Sequence, residues 1–316
     1  MQTRTYGDLF SLITSLIGHG GELPATGNED EIIRNFINRR FQQIFDESPV
    51  WERYLVTSEQ RDILALTLSG ATASTSTSVN QNYKLLGSNT TGGSNVYQGV
   101  TTATVIIYNT GSAWRVDTAA SATKQASGTY TVSAGTEQFI ETDVNKKSNV
   151  VDVETWDPRG ASTDLLQVTP RSLIPYAETG KTTIGGFNRI HRKQAFLNHS
   201  AIEYDFYVDA EGANILNVTN SNDNSAFITY KKEFTPFTVT SDYYNSTVEV
   251  PAEFFNFIAH SVYADFLRVQ NRQQEAIAEE GVAQTYLALE LEKIDIRANN
   301  NTVNKRFTTY VNRQSR

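Results

Sequence analysis

Apolar residues recur at helical spacing near both ends of the chain and alternate with polar ones between. Thr5-Tyr6-Gly7-Asp8 opens the first helical pattern, because a Thr followed three residues later by a carboxylate can satisfy the free amides of a helix start. Leu9, Ile13, Leu16 and Ile17 then share one face, and Gly18, Gly20 and Gly21 end it. A second start at Asn28 with Glu31 leads into Ile33, Phe36, Ile37, Phe41, Ile44 and Phe45. Arg34, Asn38, Arg39, Gln42 and Gln43 take the wet side, and Pro49 limits this helix to 30–47.

After Trp51 the period changes to two. Ile202, Tyr204, Phe206 and Val208 interleave with Glu203, Asp205, Tyr207 and Asp209, as in a half-buried strand. Val151–Glu154, Phe227–Tyr230, Phe237–Val239 and Val248–Val250 read the same way, so residues 55 to 250 are predominantly β. Seven of the ten residues from Ser69 to Ser78 are Ser or Thr, and Thr90, Gly92, Gly93 and Ser94 form a second small-residue tract. Strand-like runs at Thr104–Tyr108, Trp114–Asp117 and Thr129–Val132 lie between and after them, which predicts a small β module at 75–135.

Helical spacing returns at Pro251 with Phe255, Ile258, Val262, Phe266 and Val269. Asn271 breaks it, and Ala276, Ala283, Leu287, Leu291 and Ile294 mark a further helix ending at Arg297. The short connection predicts an antiparallel hairpin over 251–270 and 273–297. From Asn299-Asn300-Asn301 to Arg316 the apolar residues look isolated, which predicts an arm that orders on a neighbour.

The chain therefore reads as an α+β protein. Residues 1–54 begin an antiparallel helical bundle of two N-terminal helices, 55–250 form a large inserted β domain, 251–298 complete the bundle as a C-terminal helix hairpin, and 299–316 are an extended C-terminal arm.

Composition narrows the chemistry. With no cysteine, disulfides and thiolate metal sites are excluded. Apolar stretches fall far short of the roughly 20 residues that cross a bilayer, and the N-terminus lacks the order of a signal peptide. The net charge of −8 opposes general adhesion to nucleic acid, although Arg297–Arg316 holds five basic residues and no acidic one. Gly180-Lys181-Thr182 ends like a phosphate-binding loop, but Pro175 stands where its opening glycine belongs. His19, His191, His199 and His260 include no pair at the i, i+4 spacing of a helical zinc site. Glu279-Glu280 and Asp205/Asp209 are the carboxylate pairs available for acid–base work, and both read better as solvent faces. Tyr83, Tyr97, Tyr108 and Trp114 offer rings for sugar stacking or for a β core. No cofactor and no catalytic or metal residue is expected.

Two N-terminal helices, a long β insertion, a C-terminal hairpin and a trailing segment together resemble the head-to-tail adaptor (head-completion) proteins of tailed bacteriophages, especially short-tailed ones. The resemblance covers residues 5–47 and 251–316, where Val250-Pro251-Ala252-Glu253-Phe254-Phe255 leads into Tyr263-Ala264-Asp265-Phe266-Leu267 and Tyr286-Leu287-Ala288-Leu289. It implies a non-enzymatic virion protein at the portal vertex, assembled in the bacterial host cytoplasm as a homo-oligomeric, twelve-fold ring. Its implied partners are the portal protein, tail or nozzle proteins, and genomic DNA sliding through an acidic lumen without sequence-specific binding; no membrane is involved. The terminal arm would dock on the portal through Phe307 and Tyr310 as anchors, with Lys305, Arg306, Arg313 and Arg316 as charge partners. Two other readings stay open: a tail or receptor-binding protein whose β domain holds glycans, and a virion-associated cell-wall hydrolase.

Overall fold

The structure is a computed structural model that describes residues 3–18, 29–72, 77–91, 93–142, 150, 156–159, 164–194, 203–216 and 224–314. In chain order its elements are β1 (Thr3–Thr5), α1 (Tyr6–Ile17), α2 (Glu29–Glu47), β2 (Leu55–Asp62), β3 (Leu64–Ser69), β4 (Gln81–Ser88), β5 (Asn95–Gly99), β6 (Ile106–Asn109), β7 (Trp114–Thr118), β8 (Ser121–Lys124), β9 (Tyr130–Ser133) and β10 (Thr136–Glu141). There follow β11 (Asp157–Pro158), β12 (Gln167–Pro175), β13 (Ile184–His191), β14 (Phe206–Val208), β15 (Gly212–Ile215), β16 (Ser225–Lys232), β17 (Glu249–Pro251), α3 (Ala252–Val269) and α4 (Gln273–Gln314). The chain is a mixed α+β protein of two compact units, Met1–Tyr54 with Phe234–Arg316, and Leu55–Glu233.

The first unit is helical and draws on both ends of the described chain. Thr5 caps α1 as its spacing predicts: its hydroxyl accepts from the Asp8 amide at 3.1 Å, and the Asp8 carboxylate accepts from the Thr5 amide at 3.1 Å. β1 pairs antiparallel with β17, so Thr3–Thr5 is tied directly to the chain that enters α3. One apolar core takes Leu9, Phe10 and Ile13 from α1, Ile33, Ile37, Phe41 and Ile44 from α2, Phe254, Phe257, Ile258 and Val262 from α3, and Ala283 and Leu287 from α4. Trp51 is buried against Phe254 edge-on at 4.8 Å, and its indole N–H donates to the Ile44 carbonyl at 2.9 Å. Gly7 is required where it stands, because a Cβ there would lie 2.2 Å from the Tyr244 carbonyl oxygen.

Residues 234–250 were expected in the β region and belong instead to this unit. Phe237, Val239 and Val250 are buried in the helical core, and Phe41 stacks on Phe237 at 4.6 Å. Phe237–Val239 is no strand. Its backbone polar groups are met by Asn38 on α2, whose side chain accepts from the Phe237 amide at 2.8 Å and donates to the Phe237 carbonyl at 3.1 Å.

The second unit is β, and every strand pair among its described residues is antiparallel. A ten-stranded sheet runs β11-β10-β7-β6-β5-β4-β3-β12-β15-β14, a three-stranded one runs β13-β16-β2, and β8 pairs with β9. This corrects the small module at 75–135. β4 bonds to β3, and β7 bonds to β10, so those residues sit in the middle of a continuous sheet. Leu66 and Leu68 of β3 share one buried cluster with Tyr83, Trp114, Phe139 and Trp156. The Ser/Thr-rich tract is a connection between two paired strands of that sheet. Val151–Glu154, expected as a strand, lies outside the described residues.

The C-terminal segment differs most from expectation. No extended arm begins at Asn299; the backbone stays helical from Gln273 to Gln314. Asn disfavours a helix by only a fraction of a kcal/mol per residue, and no Gly or Pro follows Gly281 to stop it. Val303, Phe307, Tyr310 and Val311 fall at helical spacing, a pattern that the three preceding asparagines hide.

Candidate interaction surface

The densest polar cluster in the helical unit joins three helices. Arg40 of α2 is 5% exposed and still uses all five of its N–H donors. Its Nε and Nη2 donate to Asp265 of α3 at 2.7 and 2.6 Å, its Nη1 and Nη2 donate to Glu280 of α4 at 3.0 and 2.9 Å, and Nη1 also reaches Gln43 at 2.8 Å. Arg39 and Arg268 add ion pairs to Asp265 at 2.7 and 2.9 Å. Burial alone would raise the Asp265 carboxyl, but the hydrogen bonds and charges of Arg40 and Arg39 outweigh it and hold the group below the usual carboxylate range. The planar guanidinium fork suits this bidentate geometry, and a lysine in its place would lose it.

Beside the cluster, the His260 ring stacks on Tyr286 at 5.4 Å, and its Nδ1 lies 2.9 Å from Glu279. Glu279 and Glu280 are thus each engaged with a basic side chain rather than poised as an acid–base pair. Asp209 is likewise a turn-builder: it accepts from the amides of Glu211 and Gly212 at 2.9 and 3.2 Å and from Asn214 at 2.7 Å. Those bonds, led by the Glu211 amide, lower its carboxyl below the ordinary range.

The proposed docking residues Lys305, Arg306, Phe307, Tyr310 and Arg313 all lie on the helical backbone of α4, and Arg316 lies outside the described residues. On the described part of the same helix, Val282 and Leu289 are exposed, while Ala276, Ala283 and Leu287 are buried. α4 runs back along α3 from the turn at Gln270–Arg272. With 42 residues against 18, it outruns its partner by about 36 Å.

In the β unit, Tyr83, Tyr97, Tyr108 and Trp114 are all buried, which removes them as a platform for sugar rings and leaves them as core. Gly180-Lys181-Thr182 lies in the turn that connects β12 to β13, strands of two different sheets, with Gly180 at φ 79° and no helix to receive a phosphate. A cleft of about 220 Å³ is lined by Asp62, Lys84, Gln98, Pro175 and Glu178. Lys84 and Asp62 pair across it at 2.6 Å, while burial and then the Asp62 charge raise the Glu178 carboxyl. His191 bridges to Glu203 through the backbone, and His19 and His199 lie outside the described residues.

Among the described residues there is no group of three or more His, Asp or Glu side chains placed to hold a metal ion, and no helix is long and apolar enough to cross a membrane. Comparison with protein-family models, with curated proteins and with solved structures found no match to this chain.

Proposed function

We propose that this chain is a structural virion subunit, a ring-forming head-to-tail adaptor that links a phage portal to the tail and forms part of the DNA ejection conduit. In this reading the N-terminal helices and the α3–α4 hairpin form an antiparallel bundle that serves as the ring wall, and the β unit receives tail or nozzle proteins. The C-terminal third of α4 fastens to the portal, and the copy number of twelve is what the family resemblance implies.

The observation that carries it is the length and charge of α4. A helix that outruns α3 by several turns, and ends in a basic segment on an acidic chain, needs a surface to lie against, because most helical stability in proteins comes from packing an apolar face. Weak docking repeated around a ring is sufficient in aggregate. The ion cluster at Arg40 supplies the stiffness that such a wall requires.

Truncation after Ala298 tests it. The shortened subunit should keep its helical and sheet signatures and fail to bind isolated portal rings at moderate salt, while the full chain binds and shows ring masses by native mass spectrometry. Undiminished binding by the truncated subunit removes the C-terminal segment from the mechanism. The glycan-binding alternative loses its main support with the burial of the four aromatic rings of the β unit.

A further inference from the structure

The sequence of α4 carries two apolar stripes, and one of them packs into the core of the helical unit. Ala276, Ala283 and Leu287 are buried, and Leu291 and Ile294 pack against the same core. A second set, Val282, Leu289, Ile296, Val303 and Tyr310, recurs every seven residues and is displaced roughly 130° around the helix from the first. Tyr286, one face of which stacks on His260, and Phe307 add apolar positions four residues after members of that set, while Lys293, Asn300 and Gln314 are the polar ones there. Alternating steps of four and three sustained over four heptads mark a coiled-coil seam. In its described portion, Val282 and Leu289 are 39% and 48% exposed.

Charge identifies the occupant. Gln273–Ile296 carries six carboxylates against Lys293, whereas 297–314 carries Arg297, Lys305, Arg306 and Arg313 with no carboxylate. A helix acidic in one half and basic in the other complements itself when two copies run in opposite directions, and the helix dipoles favour the same arrangement. Centred near Ala298, such a pair sets Leu289 opposite Phe307 and Tyr286 opposite Tyr310. The polar positions Lys293, Asn300 and Gln314 then face Val303, Ile296 and Val282, and Glu292 flanks Arg306. A parallel, in-register pair would instead set Lys293 against its own copy and lay the two basic ends side by side.

We propose that the free protein pairs with a second copy of itself through an antiparallel α4–α4 seam running from Val282 to Gln314. Such a contact is self-complementary and closes at two copies, whereas every subunit of a cyclic ring points the same way. The pair is therefore a state of the subunit outside the ring, and it covers the segment offered to the portal until assembly releases it. That last step rests on the proposed function; the pairing itself does not.

The test uses the full chain and its lack of cysteine. Light scattering at micromolar concentration should give twice the 35.2 kDa of one chain. Leu289→Glu should shift the mass toward one copy, with at least a tenfold weaker dimer and an unchanged far-UV spectrum, since Leu289 is exposed. When Leu289→Cys and Phe307→Cys subunits are mixed and oxidised, chains should link 289 to 307 and not 289 to 289. A single-chain mass for the wild type, a predominant 289–289 link, or an unaffected dimer in Leu289→Glu each overturns the seam. A wild type that is monomeric yet binds portal rings discards the pairing and leaves the adaptor reading standing. A linked dimer that never binds portal does the reverse.

Discussion

Removing the Asp265 carboxylate should destabilise the helical unit far more than removing an ordinary surface charge. Asp265 is 3% exposed and receives two bonds from Arg40, at 2.7 and 2.6 Å, besides the pairs to Arg39 and Arg268. Breaking a buried pair by deleting one partner costs about 3–5 kcal/mol, because the remaining charge is left uncompensated. In Asp265→Ala, Arg40 keeps Glu280 and Gln43, which places the expected loss near the lower end, about 3 kcal/mol. With a urea slope of about 1–3 kcal/mol per molar, the midpoint should fall by about 1–3 M. Far-UV circular dichroism at 222 nm follows the helices, and Trp51 fluorescence in a Trp114→Phe/Trp156→Phe background follows this core alone. The double change Arg40→Met/Asp265→Leu should recover much of the loss, since apolar replacement of a whole buried pair is often close to neutral. Acid should act in the same direction as the single mutation. The folded-state value of Asp265 is lowered, so its stabilisation is present above the unfolded value near 4 and is lost as pH falls through the folded one. A loss under 1 kcal/mol in Asp265→Ala, or a double variant as weak as the single one, would refute this account of the cluster.

Three further outcomes are expected. Gly7→Ala should cost about 1–3 kcal/mol by thermal or urea unfolding, because its Cβ would collide with backbone at Tyr244 rather than with a movable side chain. Phe254→Ala should cost about 3–5 kcal/mol and shift Trp51 emission, since the removed ring is fully buried and lies against the indole. Replacing residues 75–135 by a short Gly/Ser linker should abolish folding of the β unit, read as loss of its dispersed amide NMR signals; a folded product would mean that β3 and β10 do not need the strands between them.

Local signals were legible wherever a single element carries its own period. The Thr5–Asp8 box, the stripe from Ile33 to Phe45 and the stripe from Phe255 to Val269 predict α1, α2 and α3 to within about a residue or two at the ends that are described. Pairings between distant segments were not legible. β3 bonds to β12 a hundred residues later, and nothing in either strand names the other. The same holds for Arg40 and Asp265, which are 225 residues apart, so the polar core of the helical unit was invisible until the helices met. Asn38 reads as a wet-face residue and serves as a backbone clamp on Phe237, because an amide side chain satisfies either solvent or the unpaired backbone of a passing segment. For the interaction surface, composition singles out the residues from Lys305 to Arg313 but hides their helical state, because Asn299–Asn301 are weak helix formers and the lack of any Gly or Pro after Gly281 is the one sign that the helix continues.

The discontinuous make-up of the helical unit sets an order of events on the ribosome. α1 and α2 are synthesised first, yet Phe10, Ile37, Phe41 and Ile44 complete their core only with Phe254, Ile258 and Leu287. Some 180 residues of β unit are made in between, which at about 5–20 residues per second is roughly 10 to 40 seconds of waiting. Two apolar helix faces stay uncovered for that interval, and chaperone binding should concentrate there. The β unit, whose described strands all come from one uninterrupted stretch of chain, is free to fold during the delay, before α3 and α4 emerge.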